Sequence, residues 1–144
     1  MDEYNKQMKA FTVLLRAAQS VQEVARKDVA TYGMNMTEFA VLELLYHKGD
    51  QPIQIIGKKV LIASSSITYV VDKLEQKGYV KRNASPDDRR VTYACITESG
   101  KQCIQEVYPN HEQNMSKIFE NFSEEQLATV TDLLKQIGKK AQSL

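Results

Sequence analysis

The segment "SSSITYVVDKLEQKGYVKRNASPDDRRVTYACI", residues 64–96, restricts the possible folds of this chain more than any other. From Ile67 to Leu74 its apolar residues recur at three- and four-residue steps, which predicts a short amphipathic helix that ends at Gly78. The runs "YVKRNA" and "VTYACI" predict two strands, joined by the charged turn "SPDD" and two arginines. The segment therefore predicts a helix followed at once by a two-stranded ribbon with a charged tip.

Long amphipathic helices are predicted at both ends of the chain. Apolar residues recur at helical spacing from Met8 to Val24, so roughly residues 4–30 form the first of them. The last helix, about 124–142, begins at a capping box that starts with Ser123. Its apolar face comprises Leu127, Val130, Leu133, Leu134 and Ile137.

Capping signals divide the chain between the first helix and the hairpin. Asn35 is followed three residues later by Glu38, which predicts a capping box for a second helix that ends at Gly49. Pro52 suits the opening of a short third helix, and the serines at 64–66 suit the cap of the fourth.

A fifth helix is predicted to begin at the cap Thr97 and to continue to Phe122, with a kink or break at Pro109. The predicted fold is mainly α with a small two- or three-stranded β wing, and no linker divides the chain into separate domains.

Composition narrows the class of protein. With 144 residues, 42% of them hydrophobic and 26% charged, the chain is expected to form one soluble globular domain. It has no apolar run of the roughly 18–20 residues that a membrane span needs, and its start lacks the order of a signal peptide, so we expect a cytoplasmic location and no membrane partner. The two cysteines and two histidines form no metal-binding pattern, so no metal and no cofactor is expected. No catalytic motif is present, which argues against an enzyme.

Charge is concentrated in the middle of the chain. Residues 58–90 hold eight basic and four acidic residues, a local charge of +4, whereas the remainder carries −3 and the whole chain only +1. This distribution indicates an anionic partner that is contacted at one face. The alternative is that these charges only solvate exposed helices and loops.

Two helices and a ribbon in this order are typical of a winged helix-turn-helix that binds double-stranded DNA. The first turn of a helix that enters the major groove should be small and polar, which suits Ser64, Ser65 and Ser66. Thr68, Tyr69 and Lys73 lie off the apolar stripe and are predicted to face the groove. The serines could instead serve only as caps, and Tyr69 could pack on the hairpin.

The charged hairpin tip is predicted to contact the minor groove. Arg89 and Arg90 stand where no core packing requires them, and Asp87 or Asp88 can pair with one of them and fix its direction. Lys81 and Arg82, at the base of the hairpin, are predicted to contact backbone phosphates.

The apolar faces of the first and last helices need a partner, because the small middle module offers little surface to cover them. A second copy of the chain would cover both and give a two-fold dimer, with two recognition helices on a pseudo-palindromic operator. The competing interpretation is that both helices fold back within one chain.

The runs "SSSITYVVDKLEQKGYVKR" and "PDDRRVTYACITESG" resemble the signature of the MarR family of transcriptional regulators. The likeness extends over nearly the whole chain. It implies a homodimeric winged-helix repressor with dimerisation helices at 1–32 and 100–144, a DNA-binding lobe at 34–97, and an effector pocket between these regions. The family roles carry over to Ser65, Ser66, Thr68 and Lys73 in the major groove and to Asp88, Arg89 and Arg90 in the wing.

The runs "TEFAVLELLYHKGDQP" and "SITYVVDKLE" are most similar to a quinone- and catechol-responsive branch of the family, which implies a small aromatic, phenolic or quinone-type effector. Two positions depart from the family pattern. Leu61 stands where the turn before the recognition helix often has Gly, so its backbone is expected to differ. The first helix lacks the reactive cysteine of peroxide-sensing members, which disfavours a thiol switch there.

An aromatic effector requires a partly apolar cleft with a few polar groups. The candidates by helix position are Phe11, Phe39, Tyr46, His47, Tyr108 and His111. The alternative for Phe11 and Phe39 is the core. Two other functions remain open at this point: a winged-helix module that binds proteins, and a redox-sensing regulator that uses Cys103, near a helix N-terminus, or Cys95, which alternation on its strand otherwise predicts to be buried.

Overall fold

The computed structural model of the chain describes residues 3–60 and 66–144, with side chains from residue 5 onward. These residues form six α-helices, one short 3-10 helix and three strands. In chain order the elements are α1 (Glu3–Ala30), α2 (Met36–Lys48), β1 (Gln51–Pro52), α3 (Ile53–Lys59), α4 (Ile67–Gln76), β2 (Val80–Ala84), β3 (Thr92–Ile96), α5 (Glu98–Ser116), the 3-10 helix (Lys117–Phe119) and α6 (Glu124–Gln142). The mainly helical prediction with a small β wing is confirmed.

The predicted start of α2 is confirmed in detail. The Asn35 side chain accepts a hydrogen bond of 2.8 Å from the backbone N–H of Glu38, whose carboxylate accepts one of 3.2 Å from the Asn35 N–H. Gly33 and Gly49, which bound the α2 segment, have φ of 78° and 80°, a left-handed conformation that L side chains rarely adopt. Local chemistry therefore sets both boundaries of this helix.

The wing is a three-stranded antiparallel sheet with the order β1-β3-β2. Its hairpin, β2 and β3, agrees with the sequence prediction. β1 pairs Gln51 with Ala94 and Pro52 with Tyr93, and its pairing is not evident from so short a segment. Because β1 is an edge strand, Pro52 is tolerated there although it has no N–H to donate.

The junction between the wing and α5 is closely packed. Thr97 caps α5 by accepting a 3.1 Å hydrogen bond from the Gly100 N–H, and its own hydroxyl donates to the Gly78 carbonyl at 2.6 Å. A Cβ at Gly100 would collide with the backbone carbonyl of Tyr79. The glycine one turn into α5 is therefore required by this close approach.

Of the kink or break predicted at Pro109, the break does not occur. α5 continues through Pro109 to Ser116, where the 3-10 helix follows in place of the predicted extension to Phe122. A proline inside a helix costs about 3 kcal/mol. Contacts on both sides of Pro109 offset this cost, since Val107 and Tyr108 pack on the core and His111 is bonded to α1.

The core lies between α2, α3, α4, α5, the wing and the C-terminal part of α1. Its fully buried side chains are mainly aliphatic, among them Val29, Leu42, Leu45, Ile56, Val71, Leu74, Val80 and Ile104. α6, a helix that is described in full, contributes no buried residue to it. None of the described helices is long and apolar enough to cross a membrane.

Candidate nucleic-acid interface and ligand cleft

The two faces of α4 have the predicted orientations. Val70, Val71 and Leu74 are buried, whereas Thr68, Tyr69 and Lys73 are exposed. Tyr69 is 57% exposed, which disfavours the alternative that it packs on the hairpin, and the Lys73 Nζ lies 5.5 Å from the centre of its ring. These three side chains give α4 an outer face of one hydroxyl, one phenol and one cation.

Ser66 is the N-cap residue of α4, and it differs from the prediction in one respect. Its side chain is exposed and makes no capping hydrogen bond to the helix, whose residues 67–76 are all described. The hydroxyl is thus available to an external acceptor or donor. Ser64, Ser65 and Leu61 lie outside the described residues.

The wing tip fixes the direction of Arg90 through Asp88. Asp88 Oδ1 accepts hydrogen bonds from the backbone N–H of Arg90 at 3.0 Å and from its Nε at 3.1 Å, while Oδ2 accepts from Nη2 at 3.3 Å. The Arg90 guanidinium, followed by its backbone N–H, lowers the pKa of Asp88. The side chain of Arg90 nevertheless remains 90% exposed. Asp88 therefore orients a cation that is open to solvent.

The turn itself is also held in place. Ser85 Oγ accepts hydrogen bonds from the backbone N–H groups of Asp87 at 3.2 Å and Asp88 at 3.3 Å. Gln54 of α3 donates from its side-chain amide to the Arg90 carbonyl at 3.3 Å. The Ser85 bonds hold the turn together, and the Gln54 bond connects it to α3.

At the base of the hairpin, Lys81 and Arg82 have different surroundings. Lys81 is exposed. The Arg82 guanidinium is bonded to Asp72 Oδ1 at 2.5 Å, to Glu75 Oε1 at 2.8 Å and to the Thr68 carbonyl at 3.3 Å. The predicted phosphate contact of Arg82 would require these bonds to break, because the guanidinium is already occupied by α4.

The structure divides the basic residues of the middle segment into two groups. Lys59 donates to the Gln51 side chain at 2.8 Å, Lys77 pairs with Glu38 at 2.7 Å and donates to the Gly33 carbonyl at 2.8 Å, and Arg82 is bound as described. The exposed remainder is Lys58, Lys73, Lys81, Arg89 and Arg90. Fewer cations are thus free to meet an anion than the sequence count implies.

A cleft of about 640 Å³ lies between α2, α3 and α5, and we call it the α2–α5 cleft. It brings together four of the six predicted effector residues, Phe39, His47, Tyr108 and His111. Its full lining is Met36, Phe39, Ala40, Glu43, Leu44, His47, Lys48, Lys59, Val60, Tyr108 and His111. The cleft has a mostly apolar wall with aromatic and charged groups at its edges.

Two predicted effector residues do not line this cleft. Tyr46 packs beside it, with its ring at 5.1 Å from His47 and its hydroxyl accepting a hydrogen bond of 3.4 Å from Gln105. The alternative for both phenylalanines was a position in the core. Phe39 is 4% exposed and does belong to the core, whereas Phe11 is 54% exposed on α1 and does not belong to the core of one chain. At 1.5 Å per residue, Phe11 is about 25 Å along the helix from Asp28, where α1 reaches the base of the cleft.

The aromatic rings of the cleft are in mutual contact. The His47 and Tyr108 rings meet edge to face at 5.5 Å, and Phe39 lies 4.6 Å from His111. Burial, followed by the charges of Glu43 and Glu112, raises the pKa of the Tyr108 hydroxyl. Tyr108 therefore stays a neutral hydrogen-bonding group at ordinary pH.

A polar network that the sequence did not predict lies behind the cleft, centred on the buried carboxylate of Asp28. Asp28 of α1 is bonded through Oδ2 to His111 Nδ1 at 2.7 Å and accepts at Oδ1 from Asn114 at 2.6 Å and from the Tyr32 hydroxyl at 3.3 Å. Asn110 in turn donates to the Tyr32 hydroxyl at 3.1 Å. The only sequence signal was an acid on the inward face of α1, beside Ala25 and Val29. The network joins α1 to α5.

Both cysteines are free thiols. Cys95 is buried as predicted, and burial, followed by Asp50, raises the pKa of its thiol. A raised pKa disfavours the reactive thiolate. Cys103 is half-buried in α5, where its hydrogen bond to Tyr79 is the main cause that raises the pKa of that tyrosine.

Both terminal helices expose apolar faces. Val130, Leu133, Leu134 and Ile137 of α6 are between 42% and 50% exposed. On α1 the exposed apolar residues are Met8, Phe11, Val13, Leu15, Val21 and Val24. A groove of about 730 Å³ between α1, the 3-10 helix and α6 is lined mainly by such side chains, including Val21, Phe119 and Phe122.

Comparison with known proteins places these features in a family. Residues 34–92 match the family described as the MarR family. The chain is 52% identical over 136 residues to the HTH-type transcriptional regulator MhqR of Bacillus subtilis (strain 168), with 94% of each sequence covered.

Two solved structures share the fold. Sco3205 of Streptomyces coelicolor, a MarR family transcriptional regulator in complex with DNA, is similar with a TM-score of 0.85 at 18% identity, over 94% of this chain and 88% of that one. BpsR of Bordetella bronchiseptica, whose DNA binding is regulated by 6-hydroxynicotinic acid, is similar with a TM-score of 0.78 at 20% identity, over 88% and 91% of the two chains. At these identities the likeness shows the fold alone.

Proposed function

This chain belongs to the MarR family of winged helix-turn-helix transcriptional regulators and binds DNA, and we propose that it is a homodimeric repressor released from a pseudo-palindromic operator by a small aromatic effector. Its relatives are transcriptional regulators, so the chain is a regulator and not an enzyme. α4 is proposed to enter the major groove, and the wing tip to enter the adjacent minor groove.

The observation that carries the DNA-binding surface is the arrangement of α4 beside the wing. Thr68, Tyr69 and Lys73 are exposed on the outer face of α4, and Arg90 is directed by Asp88 and open to solvent. Thr68 can hydrogen-bond a base edge, and an oriented arginine suits the negative potential of a narrow minor groove. Ser66 and Lys81 are proposed to contact phosphates beside these groups.

Dimerisation is supported by the exposed apolar faces of α1 and α6. Monomeric soluble proteins rarely expose contiguous apolar surface of this kind, and a larger patch marks an interface. The same face on a second copy would cover it in a two-fold arrangement, which also places two α4 helices at the spacing of two half-sites. The alternative in which both helices fold back within one chain is disfavoured, since α6 has no buried residue along its described length.

The DNA-binding proposal is tested by selecting duplexes from a random pool with the purified protein and measuring the operator affinity of Arg90→Ala. We expect operator binding to weaken about tenfold for each half-site, because the arginine contributes attraction in the minor groove. Thermal stability should hardly change, since an exposed ion pair contributes little to folding. Lys101→Ala, which removes a cation from an exposed site on α5, is the matched control and should bind the operator normally.

Two results would contradict this proposal. Equal operator binding by wild-type protein and Arg90→Ala would remove the wing from the interface, and a large loss of thermal stability would make Arg90 structural. Absence of specific binding to any duplex at low salt would favour a module that binds proteins, since DNA binding weakens steeply with salt through counterion release.

The α2–α5 cleft is the proposed effector site. Its volume of about 640 Å³ suits a small aromatic molecule, and it lies where α1 and α5 meet the DNA-binding lobe. BpsR, which shares the fold, is regulated by 6-hydroxynicotinic acid, an aromatic hydroxy acid, so this fold is compatible with an effector of the proposed class. Effector and operator would then oppose each other, and each would weaken the binding of the other by the same factor.

A screen of phenols, hydroquinones and quinones for release of the selected operator tests the effector proposal. His47→Ala should raise the effector concentration needed for release by about two- to tenfold, because the ligand then meets one aromatic ring fewer in the cleft. Operator affinity without effector should stay unchanged. Tyr46→Phe is the control, since Tyr46 lies beside the cleft but does not line it. A normal response of His47→Ala would place the effector elsewhere.

A further inference from the structure

Arg82 connects the wing to α4 through both terminal nitrogens of its guanidinium and through its backbone N–H. Its Nη2 is bonded to Asp72 at 2.5 Å and donates to the Thr68 carbonyl at 3.3 Å, while Nη1 donates to Glu75 at 2.8 Å. The backbone N–H of Arg82 also donates to the second Glu75 oxygen at 3.3 Å. One residue of β2 therefore holds three positions that follow one face of α4 over two turns.

Strand β2, which carries Arg82, is held in place by its pairing with the central strand β3. Arg82 pairs with Ala94 of β3, the central strand of the sheet, and Ala94 is fully buried. β2 and β3 lead directly into the wing tip with Arg90. A guanidinium presents its donors in a rigid planar fork, so it can satisfy two carboxylates and a carbonyl in one geometry that a lysine cannot reproduce.

We propose that Arg82 is a positioning residue that sets the angle between α4 and the wing, so that both elements reach their grooves of one half-site together. Its guanidinium acts on Asp72 and Glu75 and does not bind a phosphate. This inference rests on the proposed DNA-binding surface, in which α4 and the wing tip contact adjacent grooves.

Removing the acidic partners of Arg82 tests the proposal, because the effect of charge alone would be to strengthen DNA binding, whereas the proposal expects DNA binding to weaken. Asp72 and Glu75 are acids on the helix that faces DNA, and removing acids near a phosphate backbone ordinarily strengthens binding. If their function is to hold Arg82, removing them frees α4 to rotate against the wing and weakens specific binding. Both side chains are about half exposed, so their replacement leaves the core intact.

The experiment measures operator and non-specific DNA affinity over a range of salt concentrations for wild type, Arg82→Lys and the double variant Asp72→Ala/Glu75→Ala. We expect both variants to bind the operator about tenfold or more weakly, with a lower ratio of specific to non-specific affinity. The slope of log affinity against log salt should stay at the wild-type value for Arg82→Lys. Lys81→Ala, the neighbouring exposed cation, is the control and should reduce that slope by about 0.9 for each protomer.

Tighter or unchanged operator binding by the double variant would overturn the proposal, as would wild-type affinity for Arg82→Lys. If Arg82→Lys binds like wild type, the salt dependence of Arg82→Ala decides the role of Arg82. A slope of log affinity against log salt that falls as much as in Lys81→Ala would identify Arg82 as a phosphate contact. If the proposed DNA-binding surface itself is wrong, the outcome is different, because Arg90→Ala and Lys81→Ala would then bind the operator like wild type. A thermal melt of each variant confirms that it is folded at the assay temperature.

Discussion

Leu133→Glu is expected to convert the proposed dimer into a folded monomer and to weaken operator binding by about 10²- to 10⁴-fold, the range by which a second linked binding module increases affinity. Leu133 is 50% exposed at the centre of the α6 apolar face. A carboxylate there costs little in one isolated chain, but it would be desolvated without a partner in an interface between two copies. The oligomeric state is measured by sedimentation, and operator affinity is measured in parallel.

The matched control for this prediction is Ala128→Glu. It adds the same charge to α6, but helical spacing places it on the face opposite Leu133, and it is exposed. This variant should remain a dimer and bind the operator normally. If Leu133→Glu also remains a dimer, the apolar face of α6 is not the interface, and the proposal of a dimer built from α1 and α6 fails.

Asp28→Ala is expected to lower the free energy of unfolding by about 2–5 kcal/mol, because it leaves three half-buried donors without their buried acceptor. Asp28 is only 9% exposed and is bonded to His111, Asn114 and Tyr32. The alanine methyl group cannot replace these hydrogen bonds. The measurement is denaturant unfolding at equal protein concentration, since the stability of a dimer depends on concentration.

Glu23→Ala provides the comparison on the same helix. Glu23 pairs with Arg26 at 2.6 Å on the exposed surface of α1, so its loss should leave the free energy of unfolding nearly unchanged. A loss below about 1 kcal/mol for Asp28→Ala would show that water replaces the missing carboxylate. The network would then be a hydrated contact and not a structural connection between α1 and α5.

Elements specified by neighbouring residues were predictable from the sequence. The capping boxes at Asn35 and Ser123 formed as expected, because each needs only residues three positions apart. The hairpin was predictable because alternating β-formers flank a turn-forming segment. The same reasoning allowed a break at Pro109 that does not occur, because residues beside the proline pack on the core and bond to α1.

From the sequence, only those residues of the candidate site could be predicted whose exposure follows from the periodicity of their own helix. Thr68, Tyr69 and Lys73 are exposed because the apolar stripe of α4 turns its opposite face outward. Arg82 and Lys77 looked equally free, yet both are bound to residues of other elements. A basic residue in a sequence carries no sign of whether an acid distant in the chain will fold beside it.

The sequence by itself determined the capped starts of α2, α5 and α6, the hairpin of the wing and the outward face of α4, because periodicity, capping and turn chemistry act within a few residues. Only the tertiary structure decided which cations are free, which aromatic residues share the α2–α5 cleft, and that Asp28 joins α1 to α5. These features depend on pairs of residues far apart in the chain: 83 positions separate Asp28 from His111. Their contact exists only once the helices have packed.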